Sequence, residues 1–133
     1  MLRRGQPVAH LVYGTPITIN STNYYYFIAL NKLVQNFPPD RVHHMVKIYS
    51  EQMLRLHEGQ GMDIYWRDAQ LCPTIEQYMK MINLKTTSLF YFSLEMLNVF
   101  SSQNIDLKPL TTLLGDYFQI RDDYANLKLA EVC

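Results

Sequence analysis

Val42, Met45, Val46, Tyr49, Met53 and Leu56 fall on one face of a helix counted at about 100° per residue. That unbroken apolar stripe, with little alternation anywhere in the chain, predicts an all-α protein. The same count carries Gln60 and Asp63 onto the stripe, so polar groups are expected to point inward. Gly59 and Gly61 are expected to fray the helix there. Upstream, Asn36-Phe37-Pro38-Pro39-Asp40 reads as a turn that also starts this helix, because proline is tolerated in a first turn and not in an interior. Ser21 to about Gln35 reads as an earlier helix. The first twenty residues, with Gly5, Pro7, Gly14 and Pro16, read as a punctuated loop or short helical turns.

Thr74 followed by Gln77, just after Pro73, is a capping-box signal for a helix running to about Phe100. Its expected buried stripe is Tyr78, Met81, Ile82, Leu89, Phe92, Met96 and Val99, with Lys85 in the middle. A buried ammonium without a partner is costly, so Lys85 requires an anion, a carboxylate or a solvent-filled cavity. After a polar loop from Ser101 to Asp106, a last helix from about Leu107 to Leu129 places Leu110, Leu113, Leu114 and Tyr117 on one face. Gln119, Asp122, Asp123 and Asn126 share another.

The chain has 133 residues, 48% of them hydrophobic, which suits one domain-sized unit burying roughly two-thirds of its unfolded surface. Twelve basic residues balance twelve acidic ones, so no net field favours nucleic acid or an anionic membrane. Cys72 and Cys133 form no metal-binding spacing, and two distant cysteines fit a reducing cytosol. No apolar run approaches the roughly 18 residues that span a bilayer, and a cytoplasmic location is expected.

Asp122 and Asp123, with Gln119 and Asn126 within two turns, make a compact oxygen set suited to magnesium. By itself the pattern is more often that of a solvated helix face, because paired acids on helices usually face water. Lys85 with Thr86 offers an ammonium and a hydroxyl to phosphate oxygens. The lysine can instead reach water along the helix side or pair internally with Asp63. Arg3 and Arg4 can clamp a diphosphate, or form a solvated end. His10, His43, His44 and His57 lack metal spacing and are read as structural or surface residues. No residue is singled out as a catalytic acid, base or nucleophile.

These signals occur together in the order of one family. Leu2-Arg3-Arg4-Gly5-Gln6-Pro7-Val8-Ala9-His10 with Tyr13-Gly14-Thr15-Pro16 resembles the segment after the first aspartate-rich motif of the trans-isoprenyl diphosphate synthases. Leu56-His57-Glu58-Gly59-Gln60-Gly61-Met62-Asp63-Ile64-Tyr65-Trp66-Arg67-Asp68 is similar to the family's GQxxD helix, and Leu84-Lys85-Thr86 to its KT motif. Phe118-Gln119-Ile120-Arg121-Asp122-Asp123-Tyr124-Ala125-Asn126 resembles the second aspartate-rich motif, in the wording of the geranylgeranyl diphosphate synthase branch. The resemblance covers essentially the whole chain.

It implies a helical bundle of the isoprenoid-synthase type and a magnesium-dependent prenyltransferase that joins an allylic diphosphate such as farnesyl diphosphate to isopentenyl diphosphate. By the same resemblance Arg3 contacts the allylic diphosphate and Arg4 isopentenyl diphosphate. Lys85 and Thr86 hold the allylic diphosphate beside Gln119, Asp122 ligates Mg2+, and Asp123 stands behind it. Residues 1–133 are expected to be the central helices of one partial domain, lacking the first aspartate-rich motif and therefore inactive alone. Homo-oligomerisation or docking on a full-length synthase is expected. The alternatives are a non-catalytic paralogue that binds and modulates such a synthase, and a plain helical domain with no diphosphate site.

Overall fold

A computed structural model of the chain describes residues 2, 3, 5–103 and 105–128. It opens on a short hairpin in which β1 (Leu2–Arg3) pairs antiparallel with β2 (Gln6–Pro7). Gly5 makes the turn at φ +74°, in the left-handed region that a residue without Cβ enters freely. Helix α1 (Ala9–Tyr13) ends at Gly14, and α2 (Thr15–Asn36) begins at once. The helix thus starts at Thr15, ahead of the expected Ser21. Pro16 explains the difference, since its fixed φ suits a first turn and its missing N–H leaves no donor unmet there.

Helix α3 (Pro39–Ala69) starts on Pro39 with Asp40 in its first turn. It runs without a break through Gly59 and Gly61, in place of the expected fraying. It stops at Gln70, whose left-handed φ of 54° lets its amide reach back to the carbonyls of Trp66 and Arg67. The capping box then forms as read: the Gln77 amide donates to Thr74 Oγ1 at 3.2 Å, and the Thr74 amide donates to Gln77 Oε1 at 2.9 Å. It opens α4 (Ile75–Ile82), followed by a π-helical turn (Asn83–Thr87), α5 (Ser88–Asn98) and α6 (Lys108–Lys128).

The single helix expected from Thr74 to Phe100 is therefore continuous but carries one wider turn at its centre. A π turn inserts an extra residue, which rotates everything after it by about 100° relative to an α-helical count. Leu89, expected inside, is 55% exposed, whereas Ser88 is fully buried.

The core lies around this turn: Met45, Ile48 and Tyr49 from α3 meet Met81 and Ile82 from α4 and Leu84 of the turn itself. On α6 the packed face is not the apolar one. Leu110, Leu113, Leu114 and Tyr117 are exposed, and the buried residues are Thr111 and Gly115. Small side chains let α6 approach the turn closely, and closeness of backbones outweighs the apolarity of the leucine face. Among the described residues no helix is long and apolar enough to cross a membrane.

Candidate functional site

Two glycines flank the π-helical turn. A Cβ added at Gly59 on α3 would lie 2.7 Å from Leu84 Cβ and 2.8 Å from the Leu84 carbonyl carbon, and nearer still to the Lys85 backbone nitrogen. One added at Gly115 on α6 would lie 2.9 Å from both Cα and Cβ of Thr87, and nearer still to Thr87 Oγ1. Both approaches need the space of a missing side chain, so the turn is wedged between α3 and α6. One helical turn beyond each glycine stands a polar residue, Asp63 on α3 and Gln119 on α6, and each meets one residue of the turn. Lys85 Nζ donates to Asp63 Oδ2 at 2.6 Å, and Thr86 Oγ1 donates to Gln119 Oε1 at 2.5 Å. The carboxylate that Lys85 requires is thus supplied from within the chain.

The Lys85 side chain is 26% exposed and that of Asp63 38%. An ammonium carries three donors, so Lys85 can bond Asp63 and still offer protons to a ligand at the surface. Gln60, expected to point inward with Asp63, is exposed and reaches Asp63 Oδ2 only at 3.5 Å. At this level α3 packs on the turn through Gly59, and Gln60 points about 100° round the helix from it.

On α6 the network continues from Gln119. Its Nε2 donates to Asp123 Oδ1 at 2.9 Å, and the Tyr78 hydroxyl donates to Asp123 Oδ2 at 2.6 Å. Burial pushes the Tyr78 phenol well above its usual pKa, and the hydrogen bond to Asp123 and the charges of Asp123 and Asp63 act in the same direction. The phenol therefore stays a donor at any ordinary pH. Periodicity places Tyr78 only in the apolar stripe of its helix. Its position two helical turns before Lys85, on the same face, is the one signal in the sequence that its hydroxyl belongs with the polar set.

Asp122 is exposed, and no hydrogen bond among the described residues engages its carboxylate; Asn126 is exposed as well. Among the described residues no three acidic, histidine or cysteine side chains gather to hold a metal. The donor set is one accessible carboxylate beside a second whose oxygens are both engaged. That set fits a hard cation such as magnesium, which takes one or two carboxylates and fills its shell with water and phosphate oxygens.

Arg3 is exposed on β1, and no hydrogen bond or ion pair among the described residues joins it to Lys85, Thr86, Gln119 or the aspartates. Arg4 lies outside the described residues. The structure therefore brings together Lys85, Thr86, Gln119 and Asp123, with Asp122 adjoining, and leaves Arg3 apart. Together these groups present an ammonium with donors to spare for a multiply charged anion and an accessible carboxylate for a cation, while the one hydroxyl proton of Thr86 is engaged by Gln119.

Residues 1–131 match the polyprenyl synthetase family. A geranylgeranyl pyrophosphate synthase of Hypoxylon pulicicidum is 47% identical over 131 residues, covering 98% of this chain and 33% of that protein. The enzyme of the same name from Neocamarosporium betae is 50% identical over 126 residues, 95% of this chain and 36% of its own length. That of Mucor circinelloides f. lusitanicus is 44% identical over 128 residues, 96% of this chain and 41% of its own. The chain thus spans well under half the length of these relatives, and within that span it belongs to the polyprenyl synthetase family, the trans-isoprenyl diphosphate synthases.

Proposed function

We propose that the chain carries the allylic-diphosphate side of a magnesium-dependent prenyl transfer, in which an allylic diphosphate such as farnesyl diphosphate is joined to isopentenyl diphosphate to give geranylgeranyl diphosphate. Family membership and the activity for which the relatives are named support this reading. The observation that carries it is the π-helical turn wedged by Gly59 and Gly115, which aims Lys85 and Thr86 toward fixed partners beside an accessible Asp122.

In this reading Lys85 binds the diphosphate oxygens, and Thr86 joins it by turning its single hydroxyl proton from Gln119 to the ligand. Asp63 holds and aims the ammonium through a charge-assisted hydrogen bond. Gln119 orients the Thr86 hydroxyl, and Asp123 holds Gln119 with the help of Tyr78. Asp122 ligates magnesium, which when bound stabilises the negative charge on the departing diphosphate. Arg3 and Arg4 belong to the allylic diphosphate and to isopentenyl diphosphate respectively. Preorganised charges act most strongly on charge that develops at the leaving group, and that is the advantage of fixing Lys85 in advance.

Calorimetric titration of the chain with farnesyl diphosphate, with and without magnesium, tests the proposal. Binding is expected to require magnesium, and Lys85→Ala is expected to weaken it by about tenfold or more, the loss of one charge-assisted hydrogen bond. Asp122→Asn should reduce the magnesium dependence and leave the fold intact. Equal affinity in Lys85→Ala, or no effect of magnesium, would sink the reading.

A further inference from the structure

Arg55 lies on α3 one helical turn before Gly59. Its Nε donates to Ser88 Oγ at 3.0 Å and its Nη2 to Asn83 Oδ1 at 2.8 Å. Asn83 opens the π-helical turn, and Ser88 is the first residue after it. The Ser88 amide donates to the Asn83 carbonyl, the five-residue backbone bond that defines the wide turn. Ser88 Oγ donates to the same carbonyl at 3.2 Å, and Ser88 is fully buried. Arg55 thus grips the side chains of the two residues whose backbone bond holds the extra residue. Arg55 is half-buried, and no salt bridge pairs it with a carboxylate among the described residues. A guanidinium spent on two neutral oxygens acts here by its planar fork geometry rather than by charge neutralisation.

The wide turn is what allows Lys85 to meet α3 and Thr86 to meet α6 together. Relaxation to an α-helical count would rotate one flank by about 100° and separate one of those pairs. We propose that Arg55 is a positioning residue that holds this turn in its π register and, through it, sets Lys85 and Thr86 for diphosphate; the second half rests on the function proposed above.

Arg55→Lys tests it, because lysine keeps the charge and loses the two-point fork. Two quantities are measured on the full chain: amide hydrogen exchange across residues 84–88, and calorimetric affinity for inorganic diphosphate with magnesium. Exchange is expected to accelerate about tenfold within 84–88 while α2 is unchanged, and diphosphate affinity to fall about tenfold. Protection equal to that of the unaltered chain overturns the register role. Protection lost with affinity retained overturns the link to Lys85 and Thr86. Ser88→Ala removes one anchor without touching charge and answers the same question if Arg55→Lys fails to fold. If the unaltered chain does not bind diphosphate, the function proposed above falls, and exchange still decides whether Arg55 holds the turn.

Discussion

Tyr78 and Gln119 occupy both oxygens of Asp123, whereas Asp122, its neighbour in the chain, stands exposed. Adjacent helical residues point about 100° apart, so one acid of such a pair is drawn into the packed network while the other meets solvent. Tyr49 shows the same dependence on surroundings away from the site. Its hydroxyl donates to the Tyr26 carbonyl at 2.7 Å, and burial, then the proximity of Tyr26, raises its pKa above the usual 10.0. With rising pH the unfolded state gives up this proton first, so above the unfolded pKa it binds fewer protons than the folded state. The stabilisation is complete below that value and is lost as pH climbs through the folded one. Tyr49→Phe should therefore melt with a shallower alkaline dependence once pH rises past the usual phenol value of 10.0. Identical slopes in thermal melts of the two proteins would contradict the assignment.

The glycines of α3 separate two roles that helix propensity confounds. A Cβ added at Gly61 would have nothing within 4 Å, so Gly61→Ala should only relieve the entropic cost of glycine, a gain of about 0.5–1 kcal/mol. At Gly59 the same methyl meets the backbone of Leu84 and Lys85, which cannot swing aside as a flexible side-chain end can. Overpacking costs about 1–3 kcal/mol and outweighs the propensity gain, so Gly59→Ala should be destabilised. It should also lose the Lys85 geometry. Denaturant melts of both variants read the contrast, and a stabilised Gly59→Ala would mean that α3 and the turn are not in close contact.

At the scale of the whole molecule, burial is concentrated around the π-helical turn and thins outward. Ile82 is fully buried there, while α2 has no buried residue and the leucine face of α6 is open, Leu113 being 68% exposed. An apolar surface of this extent favours association. Leu113→Lys should leave stability within about 0.5 kcal/mol and reduce self-association in light scattering at high concentration. Ile82→Ala, which empties a packed position, should cost about 2–5 kcal/mol. A large loss of stability in Leu113→Lys would show that this face is packed after all.

The helical class, the capping box at Thr74 and Gln77, the stripe of α3 and the polar sets around Lys85 and Asp122 are legible in the residues themselves. Each depends on spacing along one helix, and helical spacing is a local property of the backbone. The demand of Lys85 for an anion is legible too, as is Asp63 as one way to meet it. The π-helical turn is not, because a wide turn is stabilised by what wedges it, Gly59 and Gly115 from segments remote in sequence. Nor is the packed face of α6: periodicity identifies the apolar side, but the distance between backbones selects the side that Thr111 and Gly115 leave small. Tyr78 and Arg55 look like ordinary helix residues until tertiary contact gives each a partner across the fold. Sequence alone determined the helices and the chemical groups they carry; the tertiary structure decided which groups meet, because meeting requires close approach between helices that no single helix encodes.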